Sequence, residues 1–121
     1  MIDTFTHNEN SRAIAQNTLI NLIIEYFKKN IYSSLSLNDI CTQFLICKTQ
    51  LYDLFNKNLG TSPIDYFNAL KIKESKKLLR EEFSVNYIAD KMGYLNIHSF
   101  SRAFKNQTGF SPTEYRKSIN N

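Results

Sequence analysis

Residues Gly93 to Ser118 read GYLNIHSFSRAFKNQTGFSPTEYRKS, and the skeleton of that stretch occurs twice in the chain. Phe100, Phe104, Gly109, Ser111, Pro112, Glu114 and Tyr115 repeat, gap for gap, the earlier series Leu51, Phe55, Gly60, Ser62, Pro63, Asp65 and Tyr66. Further upstream, Ser84, Val85, Ile88, Ala89 and Met92 match Ser36, Leu37, Ile40, Cys41 and Phe44 at an offset one residue shorter. The second copy therefore carries one extra residue between its two parts. A unit of this size used twice is a supersecondary motif that buries its apolar face against a neighbour.

Each copy reads as a pair of helices. Ser36 is a good N-cap for a short helix whose inward face is Leu37, Ile40, Cys41 and Phe44. A tight turn at Leu45 and Ile46 leads into a second helix from about Lys48 to Leu59, with Leu51 and Phe55 one turn apart on its buried side and Gly60 as its left-handed terminator. That is a helix-turn-helix. Ser62, Pro63, Ile64 and Asp65 then open a third helix, with a capping pattern and proline at the first helical position. This helix runs uninterrupted to about Glu82, a rod of roughly 30 Å at about 1.5 Å per residue.

The second copy predicts a helix from Val85 to Met92, a turn through Gly93, a helix from about Asn96 to Thr108 and a last capped helix after Ser111. Ahead of both copies, Ala15, Leu19, Leu22, Ile23, Tyr26 and Phe27 form a helical stripe between about Ser11 and Lys29. No strand signal appears. The fold expected is all-α, about seven helices: a polar linker or helix start over 1–16, then one domain over 17–121. Within it the first helix-turn-helix occupies about 36–60, the linker helix about 62–82, the second helix-turn-helix about 84–109 and the final helix about 111–118.

A chain of 121 residues with 42% hydrophobic content buries one core, divided at most into two lobes. Its net charge of +4 leans toward a polyanionic partner. The distribution says more: residues 1–60 balance to zero, whereas Lys91, Arg102, Lys105, Arg116 and Lys117 face only Asp90 and Glu114 from residue 83 onward. Cys41 and Cys47 are too few for a disulfide framework and match no zinc spacing, so no metal or cofactor is expected and a reducing cytoplasm is the simplest location. The apolar run around Leu22 to Ile24 is too short to span a membrane, and the polar start from Met1 to Asn10 has no secretory apolar region. That start reads as a linker, the composition expected where a chain is one end of a longer protein.

In a helix-turn-helix the second helix enters the major groove of DNA, and successive grooves on one face lie about 34 Å apart. A rod of roughly 30 Å between two such units is close to the length that places both in adjacent turns. Catalysis is disfavoured: His98 and Ser99 are neighbours that point about 100° apart on a helix, and no acid is placed to orient the imidazole.

The run LSLNDI, the series Leu51, Phe55, Gly60, Tyr66 and above all the Gly93 to Ser118 stretch resemble the DNA-binding domain of the AraC/XylS family of bacterial transcription regulators. The resemblance covers residues 20 to 118. It implies two helix-turn-helix subdomains that bind double-stranded promoter DNA, contacts with RNA polymerase, and an effector or dimerisation domain upstream in the native protein. Carried over by position, Thr49, Tyr52 and Asp53 fall where the first reading helix faces bases, with Lys48, Asn56 and Lys57 beside them. In the second unit these positions are Ile97, His98, Ser99 and Arg102, flanked by Asn96 and Lys105. Arg102 can pair bidentately with guanine.

Three residues depart from the pattern. Asp53 stands where a basic or neutral residue is usual, and pairing with Lys57 one turn on would make it structural. Leu45 occupies a tight turn better suited to glycine. Cys47 takes a helix N-cap usually given to serine, where a helix N-terminus lowers a thiol's pKa and opens a redox role. Together they predict a weaker first unit.

Overall fold

The computed structural model describes the backbone from Ile2 to Asn120 and the side chains from Ala13 to Ile119. The chain forms seven helices among the described residues: α1 (Ile2–Lys29), α2 (Leu37–Phe44), α3 (Lys48–Leu59), α4 (Pro63–Arg80), α5 (Val85–Lys91), α6 (Ile97–Thr108) and α7 (Pro112–Asn120). The polar start is helical from Ile2, ahead of the Ser11 start that the apolar stripe predicts. Met1 and the side chains of residues 2–12 lie outside the described residues, so the packing of that polar segment does too.

Serine and asparagine side chains set the starts of α2 and of α4 to α7. Ser36 Oγ accepts from the Asp39 amide while the Asp39 carboxylate accepts from the Ser36 amide, a complete capping box. Ser62, Ser84 and Ser111 each accept from the amide three residues on, satisfying one orphan donor apiece. Gly60 and Gly109 end α3 and α6 at φ 67° and 84°, where a side chain would be strained.

Two turns carry left-handed backbone without glycine. Leu45 adopts φ 55° between α2 and α3, and Glu82 adopts φ 69° after α4, a conformation that costs a non-glycine residue about 1–2 kcal/mol. Both helix-turn-helix turns close alike: the Ile46 amide donates to Cys41 O at 3.1 Å, and the Tyr94 amide donates to Ala89 O at 3.0 Å. Leu45 thus corresponds to Gly93, and the N-caps Cys47 and Asn96 correspond to each other. The extra residue of the second copy is therefore Leu95, 93% exposed.

There are two cores. The first joins Ile20, Ile23 and Phe27 of α1 to Ile40, Leu51, Leu54, Phe55 and Phe67. Phe27 is its hub, with ring centroids 5.9 Å from Phe55 and 5.1 Å from Phe67. The second joins Ile72, Leu78 and Leu79 of α4 to Ile88, Ala89, Met92, Phe100 and Phe104. The boundary falls inside α4, between Leu70, packed on the first core, and Ile72, buried in the second. On α1 the buried face differs from the predicted stripe. Ile20, Ile23 and Phe27, at i, i+3 and i+7, point inward, while Leu22 is 54% exposed and Ala15 is exposed as well.

Candidate nucleic-acid interface

On α6 the burial of Phe100 and Phe104 turns the opposite face outward. His98, Arg102 and Lys105, at i, i+4 and i+7, form its exposed stripe. Ile97 and Ser99 are half-buried at the margin. Asn96 is exposed, and its Oδ1 accepts from the Ser99 amide at 2.9 Å; its carbonyl oxygen caps the helix, and its amide group is the part left to meet a ligand. Among the described residues the one ion pair is Lys28 with Glu25 at 3.8 Å, so neither Arg102 nor Lys105 is tied to a carboxylate.

On α3 the burial of Leu51, Leu54 and Phe55 exposes the equivalent stripe Thr49, Asp53 and Asn56, with Lys48 and Lys57 also exposed and Tyr52 half-buried. The two exposed faces match in geometry and differ in charge. Where α6 presents His98, Arg102 and Lys105, α3 presents a hydroxyl, a carboxylate and an amide. The expected Asp53–Lys57 pair is not formed. Both residues instead line an open cleft of about 290 Å³ with Gln16, Gln50 and Asn58, where water competes for each charge. Cys47 supplies no side-chain cap; Gln50 Oε1 accepts its amide at 3.1 Å, half of a capping box. No group of three or more His, Cys, Asp or Glu stands together to hold a metal among the described residues.

Several polar residues that a sequence reading leaves on the surface have structural work. Arg116, half-buried, donates from Nε to Leu79 O at 3.3 Å and from Nη2 to Phe83 O, tying α7 to the end of α4. Its charge belongs to the scaffold, so the basic excess available to a ligand after residue 83 is smaller than counting suggests. Lys71 is 4% exposed; its ammonium donates to Met92 O and lies 5.0 Å from the Phe67 ring centroid. Burial pushes its pKa down from 10.5 to about 8. Tyr32 donates to Glu74 Oε2 at 2.6 Å, and that bond, with burial, raises the phenol to about 12. The signal for Lys71 was present: it falls on the buried line Phe67, Lys71, Ser75, Leu78 along α4.

Two helix-turn-helix units joined by one rod, the second carrying an outward basic stripe, are the architecture of a double helix-turn-helix DNA-binding domain. The helix-turn-helix domain family matches residues 40–118, and the chain belongs to it. It is similar to the raffinose operon transcriptional regulatory protein RafR of Pediococcus pentosaceus, 35% identical over 82% of this chain and 36% of that protein. Its structure resembles the C-terminal domain of AraT, a response regulator from Geobacillus stearothermophilus, at TM-score 0.78 and 26% identity over 83% of this chain and 84% of that one. It also resembles a transcriptional regulator from Chromobacterium violaceum, described by its AraC-type DNA-binding domain, at TM-score 0.78 and 25% identity over 87% of this chain and 95% of that one. The chain is thus an AraC-type DNA-binding domain, of a family of transcription regulators and not of enzymes. It spans little more than a third of the length of RafR.

Proposed function

We propose that this domain serves a transcription regulator by laying α3 and α6 into two consecutive major grooves on one face of promoter DNA. The observation that carries the reading is the exposed stripe His98, Arg102 and Lys105 on α6, matched position for position by Thr49, Asp53 and Asn56 on α3. Arg102 reads a base, guanine being the one its two parallel donors fit, while Lys105 holds a phosphate. Lys48, Thr49, Tyr52, Asn56 and Lys57 make the lighter contacts of the first unit; Asn96, Ile97, His98 and Ser99 surround Arg102 in the second. The eighteen residues of α4 make a rod of about 27 Å, comparable with the groove repeat of about 34 Å. The regulator acts in the cytoplasm, meets RNA polymerase at the promoter, and receives its signal through a separate effector or dimerisation domain upstream.

Selection of duplexes from a random library followed by footprinting tests this. Two protected major-groove segments about ten base pairs apart are expected, with affinity falling steeply as salt rises because phosphate contacts release counterions. One protected segment would refute the two-groove reading. A flat salt response would point to a protein partner instead.

A further inference from the structure

The two cores share no residue, and α4 alone passes through both. A helix can transmit a distance between two lobes, but a lobe packed on one of its faces can still rock about it unless something else ties the lobes together. The ties here are polar and sit in one place. The loop between α1 and α2 meets the turn between α5 and α6: Ser34 Oγ donates to Gly93 O at 3.0 Å. Beneath that contact Lys71, the residue between Leu70 of the first core and Ile72 of the second, donates to Met92 O. Its ammonium lies 5.0 Å from the Phe67 ring centroid on the first lobe's side and 5.8 Å from the Tyr94 centroid on the second's. The fit is close, since a Cβ on Gly93 would stand 3.1 Å from Ser34 Oγ.

Beside this contact the Lys91 ammonium lies 4.4 Å from the Tyr32 ring centroid, and the Tyr32 hydroxyl is held by Glu74. Burying an ammonium with no carboxylate partner is costly, and an apolar side chain of the same length would fill the space without that cost. What the ammonium adds is direction. A hydrogen bond to one carbonyl oxygen fixes an orientation, whereas apolar contact tolerates sliding. Met92 O belongs to the turn that leads into α6, so holding it sets where α6 points relative to α3.

We propose that Lys71 is a positioning residue for DNA recognition: by pinning Met92 O, with Ser34 on Gly93 beside it, it fixes the mutual orientation of α3 and α6 and so makes the domain selective for the spacing between the two half-sites. The inference rests on the two-groove reading above. Each added or removed base pair turns one half-site by roughly a tenth of a helical turn relative to the other. A rigid reader rejects that displacement, and a reader whose lobes rock accommodates it.

The test uses the 121-residue chain and its selected two-segment duplex, with versions whose central spacer is one or two base pairs longer or shorter and a duplex holding a single half-site. Wild type should prefer its best spacer over its neighbours by tenfold or more. Lys71→Met should shrink that preference at least threefold while leaving single half-site affinity within twofold. Lys71→Arg, which keeps a buried cation and donor, should restore most of the preference. Ser34→Ala, at an exposed position, should act in the same direction more weakly, and it decides the matter if Lys71→Met does not fold. A wild-type chain indifferent to spacer length sinks the two-groove reading and this inference with it. Variants that match a discriminating wild type, or that weaken half-site and full-site binding equally, overturn the inference alone.

Discussion

Arg116 Nε donates to Leu79 O at 3.3 Å, joining the last helix to the carbonyl end of α4. A cation there complements the negative end of the α4 dipole and satisfies a terminal carbonyl. The nearby left-handed Glu82 and the Phe83 carbonyl, which accepts from the same guanidinium, make this corner depend on one side chain. Arg116→Ala is expected to cost about 1.5–3 kcal/mol of stability, the usual worth of hydrogen bonds from a charged group. Urea titration gives that loss, while the salt slope of DNA binding should stay at the wild-type value. A slope reduced by about one would place Arg116 on a phosphate instead.

Arg102 and Lys105 should separate in the opposite way. Arg102→Ala is expected to weaken the best duplex by about 1–3 kcal/mol and relax preference at one base pair, whereas Lys105→Ala should weaken all sequences alike. Titrations against the selected duplex and random DNA at one salt concentration distinguish them. Equal losses on both duplexes for both variants would remove Arg102 from base reading.

The charge difference between the two stripes predicts unequal units. Arg102→Ala combined with Ser99→Ala should cost more affinity than Thr49→Ala combined with Tyr52→Ala. Asp53 has no ion pair to lose, so Asp53→Ala should leave binding unchanged or tighten it on any sequence. Loss of binding or a changed base preference on Asp53→Ala would make Asp53 a reader and the first unit an equal partner.

Leu45 offers a test on the stability side. It is 90% exposed at φ 55°, so its side chain contributes little packing and its backbone is strained. Leu45→Gly should raise unfolding free energy by up to about 1 kcal/mol, the left-handed penalty less the added flexibility of glycine in the unfolded chain. A destabilised variant in the same denaturation measurement would show that the leucine packs in solution.

Stability should also depend on pH through the junction. The folded Lys71 sheds its proton near pH 8, while the unfolded chain keeps it to about 10.5, so unfolding takes up protons and stability rises with pH between those values. Tyr32 acts with the opposite sign. Held neutral to about 12 by Glu74 and by burial, it contributes stability below pH 10 that is lost as pH climbs through 12. Between about pH 8 and 10 the loss from Tyr32 has not begun, and Lys71→Met should abolish the rise. A rise that survives in the variant would assign it to another group.

Much of this fold is legible in the sequence because its punctuation is local. Serines ahead of each short helix and glycines after α3 and α6 act within a few residues, so spacing reveals them, and the repeat supplies the pairing of helices. The burial of Ile20 rather than Leu22 was hidden because both fit an apolar stripe, and only the angle at which α1 meets its neighbours chooses between them. The roles of Lys71, Arg116 and Tyr32 depend on carbonyls and carboxylates 21 to 42 residues away; the spacing along α4 marks only that Lys71 is buried, not the carbonyl it meets. The exposed faces of α3 and α6 were placeable because Leu51 and Phe55 in the first unit, and Phe100 and Phe104 in the second, fix which side of each helix is left over.

The division of the cores along the chain bears on how the protein is made. No member of the first core lies beyond Leu70, and none of the second precedes Ile72. During synthesis, which proceeds at about 5–20 residues per second from the N-terminus, the first lobe can close while the second is still in the ribosome. The second lobe then has a seated α4 to assemble on. A half-finished chain therefore exposes chiefly the unpaired face of α4 from Ile72 to Leu79, a short apolar surface covered once Ile88 and Phe100 emerge.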